Sequence, residues 1–352
     1  MRLVERDAAG LVDGHRGEDV SRGRRGHGGR VVGWHDRPVT AATARRGYVL
    51  VLTGAVLFGL NGGISRIAMD GGIDPLPFTS ARITGAAIVL ALLAALWRPA
   101  ALRPPRGRSL LLIAGLGLVG VAALQLTYNV AIDRLPLGIA LLLEYLAPVL
   151  VVLWVRAVRR EDVHRRMWGA VACAVGGLAL VAQVWEGLQL DALGVTMGLL
   201  AAVSFATYFL LGEHNVGTQD PLHVIVWSFV MAAVLMNLVS PSWRLPDLTQ
   251  DVSALERLDH LSVPLWLPLL WVVVLGTVTP FFLQLVALQH LPATQVTMVA
   301  TLEPVLAVLL GWAWFAESLA GVQLLGVAVV MAGIVLAQSA RRAAPAELPT
   351  PQ

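Results

Sequence analysis

The stretch AIDRLPLGIALLLEYLAPVL at 131–150 returns 156 residues later as ALQHLPATQVTMVATLEPVL at 287–306. Leu135 and Pro136 fall on Leu291 and Pro292, and the Pro-Val-Leu trio beginning at Pro148 falls on the one beginning at Pro304. At the same shift Glu161 meets Glu317; one residue out of step, Gly169 and Gly176 meet Gly326 and Gly333. Leucine-rich helices align by chance, but two prolines, a glutamate and two glycines do not. The chain reads as a duplicated unit, so whatever fold one copy takes the other is expected to take too.

Composition says where that fold must live. Hydrophobic residues make up 57% of the chain and charged ones 14%, with a mean hydropathy of +0.71. A soluble domain carries about 25% charged residues, so most of this surface cannot face water. Several apolar runs approach the roughly 20 residues that cross a hydrocarbon core of about 30 Å. From Gly47 onward ten such spans are expected: about 47–69, 76–97, 109–130, 135–155, 167–184, 193–212, 221–240, 264–288, 293–315 and 320–338. Residues 1–46 are different, rich in arginine, glycine and carboxylates, and cannot bury enough apolar surface to fold alone. They are expected to be a disordered cytoplasmic tail, as is the polar end at 339–352. The loop 241–263, with Pro241, Pro246, Asp247, Asp251 and Asp259, should be irregular.

Arginine placement orients the spans. The N-terminal tail, the loop 98–108 and the loop 156–166 all fall on one side if ten spans alternate, whereas the other side receives only Arg134, Arg244 and Arg257. The positive-inside rule then puts both termini in the cytoplasm. Five spans per copy is an odd number, so the second copy must enter from the opposite face. The expected fold is all-α and polytopic: two inverted five-helix repeats at 47–184 and 193–338. Inverted repeats suit alternating access, with a site near the membrane midplane where the halves meet.

The LP…PVL element at 135–150 and 291–306, the following acids Glu161 and Glu317, and the glycine-punctuated helix after each resemble the EamA-type members of the drug/metabolite transporter superfamily. The second copy, LEPVLAVLLGWAWFAESLAGVQLLGVAVVMAGIVLA, is the closer fit; the first departs by having Ala147 where the second has Glu303. The resemblance covers about 47–338. It implies a secondary transporter of the bacterial inner membrane that exports amino acids, metabolites or toxic small molecules.

An ionisable side chain inside a span costs about 2.5–3.5 kcal/mol on insertion scales and so needs a partner or a purpose. Four stand out: Arg66, Arg82, Glu144 and Glu303. The two glutamates lie near mid-depth of the fourth and ninth spans, and their repeat positions differ by three residues, about one helical turn. They can bind a cationic group or cycle a proton; alternatively they are neutral, or paired to an arginine. The two arginines lie near span ends, where they can snorkel to the interface, pair with Glu144, or clamp a substrate carboxylate. Asn61, Gln125, Tyr128, Asn129 and Tyr145 in the first half, with Tyr208, Trp227, Gln284 and Gln295 in the second, fill out a polar cavity or serve helix contacts. Asn61 overlays Tyr208 when AVLF at 55–58 is set on AVSF at 202–205, and Tyr128 overlays Gln284. Pro148 and Pro304 are expected hinges. Trp97, Trp154, Trp168 and Trp271 suit interfacial belts.

Neither a metal-ligand cluster, nor a nucleotide loop, nor a nucleophile–base set is legible, so the expectation is a transporter without a cofactor and not an enzyme. The partners expected are a small-molecule substrate and the lipid bilayer, with no nucleic acid. The single cysteine, Cys173, excludes an intrachain disulfide. An importer of the same fold and a lipid or polyprenyl-carrier flippase remain open alongside the exporter.

Overall fold

The computed structural model describes residues 41–159, 165–182, 190–216, 220–287, 290, 299 and 302–341. They are predominantly helical: α1 (Ala41–Asp70), α2 (Pro75–Trp97), α3 (Arg108–Gly115), α4 (Leu124–Arg134), α5 (Leu137–Glu144), α6 (Ala147–Trp154), α7 (Arg165–Ala182), α8 (Ala192–Val216), α9 (Pro221–Val239), α10 (Trp266–Val273), α11 (Thr279–Ala287), α12 (Leu302–Ala313) and α13 (Gly321–Arg341). Among the described residues six helical segments are long and apolar enough to cross a membrane, and four shorter apolar helices accompany them. Leu96 and Leu238, 76% and 79% exposed, typify an outer surface of large apolar side chains, of the kind that a membrane or a partner covers. Trp97, Trp154 and Trp168 share that surface, but Trp271 is half-buried beside Gly276.

Helix starts follow local chemistry. α1 begins at Ala41, ahead of the expected span, because Ala-Ala-Thr-Ala-Arg-Arg is rich in strong helix formers. The Asp-Pro pairs at Asp74–Pro75 and Asp220–Pro221 open α2 and α9, with proline in the first turn where its missing N–H is no loss. Asp220 also accepts the Leu222 N–H at 3.0 Å as an N-cap. Between α1 and α2 the chain turns through Gly72 at φ +97°, a conformation open to glycine. The loop 241–263 is more regular than expected. It carries an antiparallel ribbon, β1 (Asp251–Ser253) with β2 (Ser262–Pro264), tied to the end of α1 by the Gln250 amide donating to the Gly71 carbonyl at 2.7 Å.

Packing joins the early and late parts of the sequence. α1 lies on α10 and α11, α4 on α8, α2 on α9, α5 on α12, and α7 on α13. α5 is buried on every side, from Leu137 through Leu143, which makes it the central rod of the bundle. α3 runs into α4 through a π-helical stretch, Leu116–Ala123, and α10 runs into α11 through another, Val274–Val278. The repeat shift lays the first stretch over 272–279, so the two coincide. Matching contacts go with them: a Cβ on Gly120 would strike Tyr208, and one on Gly276 would strike Asn61.

The α7–α13 contact is backbone against backbone. A Cβ on Gly177 would stand 2.8 Å from the Gly326 carbonyl, and one on Gly326 would stand 2.7 Å from the Gly177 carbonyl. Backbone cannot step aside as a side chain can. Gly326→Val is therefore expected to exceed the usual overpacking cost of about 1–3 kcal/mol, read as loss of monodisperse protein in detergent. The control Gly176→Val meets open space and should extract normally.

Candidate functional site

The central rod ends inside the bundle. α5 stops at Glu144, Tyr145 and Leu146 form a turn, and α6 resumes at Ala147. Pro148 is the cause: it has no N–H to give the Glu144 carbonyl, so the continuous helix expected over 135–155 breaks. The break lies ahead of the proline, which itself occupies the first turn of α6. Pro304 likewise sits, buried, in the first turn of α12.

The break gathers the polar residues. Tyr145 donates its hydroxyl to Oε2 of Glu303, which is 6% exposed and stands in the first turn of α12, where a carboxylate complements the helix dipole. The other oxygen of Glu303 is buried without a hydrogen-bond partner. Glu144 is half-buried and has no hydrogen bond among the described residues. Arg82, from α2, is 4% exposed and therefore does not snorkel. Its Nε donates to the Thr277 hydroxyl at 3.0 Å, which in turn donates to the Val272 carbonyl at 2.8 Å across the second π-helical stretch. One terminal nitrogen of Arg82 has no partner. Arg82 and Glu144 are close enough for their charges to interact, and Tyr128 is within such reach of Arg82, Glu144 and Glu303.

Around this centre the amides divide. Asn129 donates to the Thr79 hydroxyl at 2.8 Å, a helix contact of the ordinary kind. Oδ1 of Asn61, Oε1 of Gln125 and Nε1 of Trp227 are buried with no partner, an unusual density of unsatisfied groups for a native interior. The Phe205 ring lies 6.3 Å from Tyr208 on one side and 6.2 Å from Tyr145 on the other. The Gln284 side chain, Gln295, Glu161 and Pro292 lie outside the described residues. No group of His, Cys, Asp and Glu among the described residues is placed to hold a metal ion.

Arg66 is also within electrostatic reach of Tyr128, but its direct contacts lie elsewhere. It neither snorkels nor pairs with Glu144. Its NH1 meets Glu317 at 2.5 Å, with both side chains 15% exposed, while its remaining donors reach the Ile132 carbonyl at 2.6 and 2.9 Å and the Leu135 carbonyl at 2.5 Å. Glu317 accepts the Leu137 N–H at 3.0 and 3.1 Å. One ion pair thus caps the end of α4 and the start of α5 together. Phe315 lies against the guanidinium at 5.4 Å, stacked on Trp314, whose indole donates to the Ala254 carbonyl at 2.8 Å. Glu317, Thr277 and Thr79 are polar partners that sequence reasoning did not assign to a site. The repeat marked Glu317, but nothing in it marked Arg66 as its partner.

Tyr128 is held from behind by Gly62, where a Cβ would stand 2.6 Å from its hydroxyl and 2.6 Å from Leu137 Cδ1. Gly62→Ala is expected to cost about 1–3 kcal/mol and to displace Tyr128, seen as a lower melting temperature in detergent together with slower transport.

Comparison with known proteins places this arrangement. The threonine/homoserine exporter RhtA of Salmonella typhimurium is 31% identical over 68% of this chain and 75% of its own length. The protein of the same name from Escherichia coli K12 is 29% identical over 61% of this chain and 66% of its own. The transporter YwfM of Bacillus subtilis is 26% identical over 84% of this chain and 94% of its own. A solved crystal structure at 20% identity superposes with a TM-score of 0.53, covering 86% of this chain and 98% of that one, a likeness of fold alone. The pattern of the EamA-like transporter family matches residues 45–183 and again 192–338, so the chain, a multi-pass membrane protein and not an enzyme, belongs to the EamA-like transporter family.

Proposed function

We propose that the chain is a secondary transporter of the cytoplasmic membrane that exports small metabolites, amino acids foremost, by alternating access. In this reading ten spans form two inverted repeats, 47–184 and 193–338, with both termini cytoplasmic. Four observations support it: the family pattern matches twice, helices pack in exchanged pairs, the two π-helical stretches coincide under the repeat shift, and loop arginines fall to one side. Threonine and homoserine are what two relatives are named for exporting, and they are the first substrates to try.

The observation that carries the proposal is the helix break at Tyr145–Leu146. It brings Arg82, Tyr128, Glu144 and Glu303 together at mid-span, with polar atoms left unpartnered. Broken helices of this kind are tolerated within a membrane where they line a site. Glu144 is the residue to cycle a proton, and Pro148 and Pro304 flank the moving joints. On the same topology the Arg66–Glu317 pair closes the extracytoplasmic end and must open during the cycle.

The test uses the full chain in liposomes loaded with labelled L-threonine or L-homoserine, with and without an imposed pH gradient. Efflux above protein-free vesicles, steepened by the gradient, is expected. Movement of labelled lipid instead would favour a flippase, and accumulation in whole cells an importer.

A further inference from the structure

Arg82 is the anomaly of the bundle. It is a guanidinium 4% exposed, fixed through Nε to Thr277, with no carboxylate in ion-pair range among the described residues and a terminal nitrogen left without a partner. Breaking a buried pair by removing one partner is strongly destabilising, because the remaining charge is uncompensated. Glu144 acts on the Arg82 charge from outside ion-pair range and so compensates it only in part, which leaves the guanidinium able to take an anion. Glu303 is its opposite. It is 6% exposed, its Oε2 is held by the Tyr145 hydroxyl, and its Oε1 is buried without a partner. Tyr128 is within electrostatic reach of both.

Resting on the exporter reading, we infer that this centre is a clamp for a zwitterion, with Arg82 taking the carboxylate of an α-amino acid and Glu303 its ammonium group. The orientation follows from charge. A planar guanidinium anchored at one nitrogen presents its remaining N–H groups as a fork to a carboxylate. A carboxylate fixed at one oxygen presents the other to an ammonium. Buried polar groups left unpaired by a truncated ligand penalise it heavily, so the clamp discriminates against molecules that carry only one of the two ends.

Homoserine has two convenient one-ended analogues: 3-aminopropan-1-ol, which lacks the carboxylate, and 4-hydroxybutanoate, which lacks the amine. Purified full-length protein in liposomes is assayed for homoserine efflux with each analogue as competitor. Both are expected to compete at least about tenfold more weakly than homoserine itself. Arg82→Gln should raise the half-saturating homoserine concentration at least about tenfold and abolish competition by 4-hydroxybutanoate, leaving that by 3-aminopropan-1-ol unchanged. Glu303→Gln should do the reverse, and Arg82→Lys should recover part of the carboxylate preference. Variants are compared at equal incorporation, with size-exclusion profiles confirming the fold. If wild type exports homoserine but either analogue competes equally well, or both variants weaken both analogues alike, the clamp is wrong and the exporter stands. If wild type moves 3-aminopropan-1-ol but no amino acid, the site is a plain amine site and the clamp fails. If nothing is moved, the exporter reading fails and the clamp with it.

Discussion

Replacing Glu144 by glutamine is expected to leave the protein folded and inserted while cutting transport about 100-fold, the lower end of what a positioned proton-transferring group contributes. Glu144 closes α5, whose preceding seven residues are all buried and apolar. It makes no hydrogen bond among the described residues, so no packing role requires a carboxyl group there. Glutamine fills the same space without the ionisation cost of about 2.5–3.5 kcal/mol. Glu144→Asp shortens the reach but keeps the charge and should retain part of the activity. Export from proteoliposomes across an imposed pH gradient decides the matter. Wild-type rates with an unchanged pH profile in the glutamine variant would return Glu144 to a structural role.

Arg66→Ala is expected to have the second large effect, a destabilisation of about 3–5 kcal/mol. The arginine satisfies Glu317 and two carbonyls at once, and its loss strips the end of α4 while leaving Glu317 without its counter-charge. Thermal unfolding in detergent measures this, with Glu317→Gln expected to cost less because it keeps a hydrogen-bond acceptor for Leu137.

Much of this was legible beforehand. Glu144, Glu303, Tyr145, Tyr128 and Arg82 stood out because polar groups in apolar runs are costly wherever the helices go, and the structure draws those five together. Pro148 announced a disturbed helix, although the break lies ahead of the proline because a missing N–H releases the carbonyl four residues earlier. Arg66 and Glu317 are 251 residues apart, and a cost says that a partner is needed without saying which. Span counting placed Arg82 near a helix end, where snorkelling, pairing with Glu144 or clamping a carboxylate all stayed open. Its actual setting depends on the π-helical stretch that carries Thr277, and such a stretch leaves no mark in the pattern of apolar residues.

Those π-helical stretches each take up one residue more than an ordinary helix would. A π-helical turn is one residue longer than an α-turn, so the extra residue is absorbed in the wide turn and the helix beyond keeps its phase. Deleting a single residue from Val274–Val278 should therefore restore an ordinary helix and leave Thr279–Ala287 against α1, while losing the wide turn from which Thr277 meets Arg82. One residue added there has no such outlet, and each residue of an α-helix advances the chain by about 100°. The same insertion within Leu116–Ala123 would swing the buried Gln125, Tyr128 and Asn129 off the face they share. The aim of Tyr128 therefore depends on a residue count upstream of it as much as on its own identity.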